Sequence, residues 1–442
     1  MIRSAIDHLD GWKRSPGRKP LIIRGARQVG KTWLMKEFGK TRYERLAYIN
    51  FDSNPRMERL FSGDLGIPRL VAGLQLEAGV TIDPSNTLII FDEVQEVPRA
   101  LTSLKYFNEN APEYDILAAG SLLGVALHQG TSFPVGKVEF LDLHPLSFQE
   151  FLLALDKGRY AEVLLDDLSL AGDFRETYIE LLAQYYFVGG MPEPVSVFSE
   201  QHDFEKVRGI QLRILEAYEQ DFSKHAPNET VPRLRMLWQS VPSQLARENK
   251  KFVYRNLRPG ARAREFDLAM QWLIDCGLGH KVQRVSKPGL PLSSYADAGA
   301  FKLYMVDVGL LAAKSGLDAR TLLNGSRIFE EFKGALAEQY VLQELTSAGI
   351  RQPFYWTPDS GGAEVDFVIS LQGETYPIEV KAAENLQAKS LRVYRDRFKP
   401  TVCIRTSLAN YRREGWLMNL PLYAIGALPQ ILERNRPANG TR

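Results

Sequence analysis

Leu21–Phe38 reads LIIRGARQVGKTWLMKEF. Three apolar residues, Leu21–Ile23, lead into a loop bounded by Gly25 and Gly30, and Lys31 and Thr32 follow at once. The spacing fits G-x-x-x-x-G-K-[ST]. Glycines let the backbone curl so that successive N–H groups point at phosphate oxygens, and a helix opening near Lys31 aims its positive end at the same anion. Lys31 is placed to reach the β- and γ-phosphates of ATP, and the Thr32 hydroxyl to bind Mg²⁺. The candidate nucleotide-binding residues are therefore Gly25, Ala26, Arg27, Gln28, Val29, Gly30, Lys31, Thr32 and Trp33.

Working outward, Thr87–Gln95 (TLIIFDEVQ) is an apolar strand that ends in two acids. A strand apolar on both faces belongs in a parallel sheet covered by helices. Asp92 at its end can hold Mg²⁺, and Glu93 can orient and polarise an attacking water as the catalytic base. A third strand, Tyr114–Ser121 (YDILAAGS), ends in Ser121, a small polar residue able to sense the phosphate or the water. Arg45–Asp52 (RLAYINFD) is another short strand. Strands near 21, 46, 88 and 115, separated by helical stretches, predict an α/β fold with a doubly wound parallel sheet, the nucleotide lying at the strands' carboxyl ends.

From Pro145 to about His225 the periodicity is helical, with a capping box at Ser147–Glu150 (SFQE) and apolar spacing in Ala161–Leu168 and Glu176–Phe187. This predicts a lid-like helical bundle. From Val231 the helical pattern gives way to a hairpin, His280–Val285 and Phe301–Asp307, which reads as a winged helix. Val231–Arg264 carries nine basic residues and one acid, Glu248. Such a local excess suggests phosphate contacts, with Arg247, Lys250, Lys251 and Arg255 as the candidate DNA-binding residues. A solvated face, or a surface docking the ATPase domain, is the alternative.

The last third holds a second constellation. In Gly361–Ser370 (GGAEVDFVIS) Glu364 and Asp366 share one strand face, and twelve residues after Asp366 come Glu379 and Lys381 in YPIEVK. Asp-x₁₂-Glu-x-Lys on adjacent strands is the active-site pattern of restriction-endonuclease-like nucleases. Asp366 and Glu379 would hold Mg²⁺ or Mn²⁺, and Lys381 would stabilise the phosphate or help deprotonate water. Glu338, on the amphipathic helix Lys333–Leu345, stands where a helper carboxylate is expected.

The chain of 442 residues is 45% hydrophobic and 24% charged with a net charge of +2, ordinary globular values that allow about three domains. No apolar run reaches the roughly 18–20 residues of a membrane span. The first twenty residues lack an apolar core, and Cys276 and Cys403 stand alone. These readings predict a cytoplasmic protein with no membrane partner.

The blocks RGARQVGKT, IIFDEVQ, AAGS, VGKVEFLDLHPLSFQEF and YFVGGMPEPV resemble those of a bacterial and archaeal family of AAA+-type, STAND-like P-loop ATPases with a C-terminal domain of formerly unknown function. The resemblance implies ATP binding and hydrolysis, a winged helix and a restriction-endonuclease-like C-terminal α/β domain; a homo-oligomer is among the partners expected. It also makes Gly189–Val195 an element touching the nucleotide, with Pro192 as the contact; a helix C-cap glycine followed by a proline stop is the alternative. Lys137 stands where relatives have an arginine; lysine keeps the charge but loses the planar fork, so an arginine-finger role there is in doubt. The expected segments are 1–145 (AAA+ core), 146–228 (helical lid), 229–325 (winged helix) and 326–442 (restriction-endonuclease-like domain). The expected function is an ATPase coupled to a DNA-binding, metal-dependent nuclease-like domain. The alternative is a DNA-dependent ATPase or STAND-like switch whose C-terminal domain docks nucleic acid or a partner protein without cleavage.

Overall fold

The structure, a computed structural model, describes residues 2–121, 134–247, 250–320, 330–359, 361–383 and 388–434. Glu248 and the expected 325/326 boundary lie outside them. The chain divides into two compact units, Arg3–Leu143 with Asp275–Leu278, and His144–Ile274 with the chain from Gly279 onward.

The first unit is built on five parallel strands, β1 (Leu21–Arg24), β2 (Arg45–Asn50), β3 (Thr87–Asp92), β4 (Asp115–Ala119) and β5 (Glu139–Asp142), in the order β2-β3-β4-β1-β5. The step from β1 to β2 runs one way along the sheet and the steps from β2 through β4 run the other. With right-handed crossovers this puts the connecting helices on opposite faces. Side-chain alternation in β3 agrees. Ile89 and Phe91 join a core with Phe61, Leu74, Leu101 and Phe107 from the helices Pro55–Ser62, Ile67–Ala78 and Pro98–Asn110. Leu88 points to the other face, where Gly39 of the helix Lys31–Arg42 comes so close that an added Cβ would lie 3.3 Å from Leu88 Cδ2. The doubly wound sheet expected from the sequence is present, with β5 added beside β1.

The second unit combines helices with an eight-stranded mixed sheet. Ser147 and Glu150 form the expected capping box at the start of the helix Phe148–Ala154. The sheet contains β6 (Gly279–Val285), β7 (Ala296–Met305), β8 (Phe354–Trp356), β9 (Val365–Leu371), β10 (Glu374–Val380), β11 (Cys403–Ser407), β12 (Arg412–Glu414) and β13 (Leu417–Pro421). Their order is β12-β13-β11-β10-β9-β8-β6-β7.

The hairpin expected as a wing is not a separate ribbon. β6 pairs in parallel with β8 through Gln283–Phe354 and Val285–Trp356, so β6 and β7 form one edge of the C-terminal sheet. The physical reason is burial. Phe301–Met305 is apolar on both faces apart from one lysine and is wholly buried, which a solvent-exposed wing does not provide. Segments expected as lid, wing and C-terminal domain thus share one compact unit. No helix among the described residues is long and apolar enough to cross a membrane.

Candidate functional site

In the first unit the loop between β1 and the helix Lys31–Arg42 carries the phosphate-binding pattern. Gly25 has φ 148°, and a Cβ there would lie 2.2 Å from the carbonyl oxygen of Leu143, so only glycine fits. Gln28 (φ 66°) and Gly30 (φ 96°) also adopt left-handed conformations, turning the loop back on itself. Gly30 caps the helix without any side-chain hydrogen bond, which leaves the first-turn N–H groups for an anion.

Lys31 is 7% exposed and donates to the carbonyl oxygens of Gly25 (2.9 Å) and Ala26 (2.9 Å). Burial pulls its pKa down to about 8, against the opposing pull of Glu93 and Asp92. Ala26 and Val29 are buried, whereas Arg27, Gln28 and Trp33 are exposed.

Thr32 Oγ1 donates to Asp92 Oδ2 at 2.8 Å, and the hydroxyl of Tyr48 on β2 donates to the same oxygen at 2.8 Å. Next to it, Glu93 has φ 51°, and its carboxylate accepts from Ser121 Oγ (2.8 Å), Ser121 N (3.2 Å) and Gln95 Nε2 (2.7 Å). Burial works to raise the Glu93 carboxyl, but these hydrogen bonds and Lys31 outweigh it and hold the carboxyl below its usual value. Lys31, Thr32, Asp92, Glu93 and Ser121 are thus brought together from three parallel strands and one loop. Sequence reading missed Tyr48 and Gln95. Each sits near a motif acid, but a lone Tyr in a strand or Gln after two acids carries no signal of its own.

The donor set fits ATP and Mg²⁺: a buried ammonium, an uncapped helix start, and a hydroxyl with a carboxylate. Lys31 and the loop N–H groups would hold the phosphates, and Thr32 and Asp92 the ion, which when bound neutralises developing negative charge on the phosphate oxygens. Lys137 is turned to Glu109 (2.9 Å). Pro192 belongs to the second unit, opening the helix Pro192–Gln201. The two glycines before it are fixed by packing. A Cβ on Gly189 would meet Asp307 Oδ1 at 2.2 Å, and one on Gly190 would meet the Leu146 carbonyl oxygen at 2.2 Å.

In the second unit the residues expected to share a metal ion meet two different lysines. Glu379 lies beside Lys381 (2.7 Å) and in register with Arg405 of β11; its Oε2 is buried without a hydrogen-bond partner. Asp366 instead joins Glu338 and Glu364 around a lysine that sequence reading did not single out. Lys302, on β7, is fully buried, and its Nζ lies 2.5 Å from Glu364 Oε1, 3.3 Å from Glu338 Oε2 and 3.8 Å from Asp366 Oδ1.

Glu338 and Asp366 make further contacts. Glu338 accepts from Tyr304 (2.7 Å) and from Lys250, and Asp366 Oδ2 accepts from Val380 N (2.8 Å). Burial works against the charge on Lys302, but the carboxylates outweigh it and keep it protonated. Burial and the Glu338 carboxylate push Asp366 upward. As the described residues stand, with Lys302 among these acids, no three His, Cys, Asp or Glu side chains are grouped so as to hold a metal ion. Of the expected set, Glu338 and Asp366 both meet Lys302, whereas Glu379 meets Lys381. The signal for Lys302 was a lysine within an otherwise apolar strand, FKLYMV.

The expected DNA-binding residues also divide. Arg247, Lys251 and Arg255 are exposed, while Lys250 is turned in against Glu338.

Residues 17–152 match the family described as AAA domain. Residues 179–321 and 333–424 match two families described as Domain of unknown function (DUF8612) and Domain of unknown function (DUF4143). No curated protein matches the chain. Among solved structures, the Walker-type ATPase PABY2304 of Pyrococcus abyssi is 14% identical, with 71% of this chain and 95% of that chain covered, at a TM-score of 0.45. Cdc6p of Pyrobaculum aerophilum is 12% identical, with 72% and 93% covered, at 0.26. The ORC1 protein of Aeropyrum pernix in complex with DNA is 11% identical, with 71% and 90% covered, at 0.26. Likeness this slight says nothing about substrate or partner. The AAA match falls on the unit that holds the phosphate loop, Asp92 and Glu93, and with that geometry the protein is an ATPase carrying an AAA-type P-loop domain.

Proposed function

We propose that the chain is a nucleic-acid-dependent ATPase whose C-terminal strands serve as a docking platform that does not cleave. The observation that carries this reading is the basic stretch. Arg247, Lys251, Arg255, Arg258, Arg262 and Arg264 are all exposed within one short segment, where Arg258 pairs with Glu265. Clustered exposed arginines and lysines favour a polyanion. Lys31, Thr32, Asp92, Glu93 and Ser121 would carry hydrolysis, and the nucleic acid would bias the ATP-bound state. The ion pairing of Lys302 supports the absence of cleavage.

The test is ATP hydrolysis with and without single-stranded DNA, duplex DNA and RNA at low and moderate salt. Stimulation by one of them, falling with salt, is expected. Unchanged hydrolysis together with no nucleic-acid binding would remove this reading in favour of a switch that binds a partner protein.

A second reading, a metal-dependent nuclease, is favoured by the buried unpartnered Oε2 of Glu379 next to Lys381. Cleavage of linear, single-stranded or branched DNA in Mg²⁺ or Mn²⁺, lost in Asp366→Ala, would establish it.

A further inference from the structure

A fully buried ammonium is costly unless its surroundings are arranged for it. Lys302 meets that condition with carboxylates drawn from three places in the sequence: Glu338 from the helix Glu330–Ser347, Glu364 from the approach to β9, and Asp366 from β9 itself. We propose that Lys302 is the resident cation of this cluster, standing where a divalent ion would otherwise stand and excluding one. The proposal rests on the reading of the C-terminal strands as a platform that does not cleave.

The argument is one of space and of ligands. A divalent ion needs several oxygens converging at roughly 2.0–2.6 Å. Lys302 Nζ already occupies the point between Glu364 Oε1, Glu338 Oε2 and Asp366 Oδ1, at 2.5, 3.3 and 3.8 Å. A second cation there would face the ammonium at close range in a buried setting, where repulsion is least screened. Two of the remaining oxygens are committed as well. Glu338 accepts from Lys250 on Oε1 and from Tyr304 on Oε2, and Asp366 Oδ2 accepts from the Val380 N–H. The lysine also does what a bound ion would do mechanically: it ties the β6–β7 edge of the sheet to β9 and to the helix behind it.

The experiment is Mn²⁺ binding to the nucleotide-free full chain, followed by electron paramagnetic resonance, with thermal unfolding alongside. In the wild type no Mn²⁺ that depends on Asp366 is expected, so wild type and Asp366→Asn should bind alike. Lys302→Met should gain one Mn²⁺ and be stabilised by it, and Lys302→Met/Asp366→Asn should lose that gain. If Lys302→Met folds only when Mn²⁺ is supplied, that rescue is the same gain. Wild-type Mn²⁺ binding that disappears in Asp366→Asn overturns the proposal. So does a Lys302→Met chain that neither binds Mn²⁺ nor is rescued by it. A parallel DNA-cleavage assay separates the two readings. Cleavage without an Asp366-dependent metal sinks the platform and leaves the lysine in place, whereas metal binding without cleavage does the reverse.

Discussion

Ser121 Oγ donates to Glu93 Oε1 at 2.8 Å, joining the ends of β4 and β3. With Gln95 on the other oxygen, it fixes the direction of the carboxylate that would polarise the attacking water. Glu93→Gln should bind ATP as the wild type does and hydrolyse it about 10²–10⁴-fold more slowly, the usual worth of a general base. Ser121→Ala removes one hydrogen bond to a charged group, worth about 1.5–3 kcal/mol. It should lower kcat about tenfold or more with ATP affinity kept. Single-turnover hydrolysis and calorimetric ATP binding check both. A Ser121→Ala chain with wild-type kcat would show that Glu93 does not need this bond.

Lys31 gives the nucleotide site a pH signature. Burial holds its pKa near 8 in the free protein, and bound phosphates would raise it. Below pH 8 the free protein already carries the proton. Above pH 8 it does not, so binding must take a proton up, and ATP affinity should fall by up to about tenfold per pH unit. Titration calorimetry at pH 9 in two buffers of different ionisation enthalpy should show proton uptake, absent in Lys31→Ala along with most of the binding. Affinity rising from pH 8 to 9.5 would contradict the assignment.

What the sequence revealed follows from how local each signal is. β1, β3 and β4 were legible because each is a short apolar run with its functional residue at or just beyond its end. β5 was weaker, since its four residues alternate between half-buried and exposed at the sheet edge. The union of the β6–β7 hairpin with the C-terminal strands was not legible, because β6 finds β8 about seventy residues away and nothing in either strand names the other. The same holds for Lys302. Its partners are Glu338, Glu364 and Asp366, so the Asp366–Glu379–Lys381 spacing was real on adjacent strands but did not reveal which cation Asp366 would meet.

The basic stretch can now be tested without disturbing the fold. Arg247→Glu/Lys251→Glu/Arg255→Glu reverses three exposed residues, and if all three touch phosphates the slope of log K against log[salt] should fall by about 0.9 for each on duplex DNA. Lys250 is left out because its ammonium pairs with Glu338. Lys250→Glu should instead destabilise the second unit by about 3–5 kcal/mol, by removing one of the two cations that meet buried Glu338 and setting a second carboxylate beside it. Fluorescence anisotropy over a salt series reads the first effect and thermal unfolding the second. Full DNA affinity in the triple variant would move the nucleic-acid surface elsewhere.

Glu344 should make the stability of the second unit depend on pH. It is 1% exposed, accepts a hydrogen bond from Phe148 N at 2.8 Å, and is pushed up to about 8 by burial. In the unfolded chain the same carboxyl titrates near 4.5. Between those values the folded protein holds a proton that the unfolded chain has released. Stability therefore falls as pH rises through this range, by at most about 1.4 kcal/mol per unit from this one group. Glu344→Gln keeps an oxygen for the Phe148 N–H and removes the titration. The variant and the wild type should be of similar stability at pH 5, and the variant should be the more stable by pH 8. Other groups titrate over the same range, so the quantity to measure is the difference between the two urea-unfolding curves from pH 5 to 8.5, in which shared titrations cancel. Curves that stay parallel across that range would mean that Glu344 is already ionised in the folded protein, its charge held by more than the single N–H of Phe148.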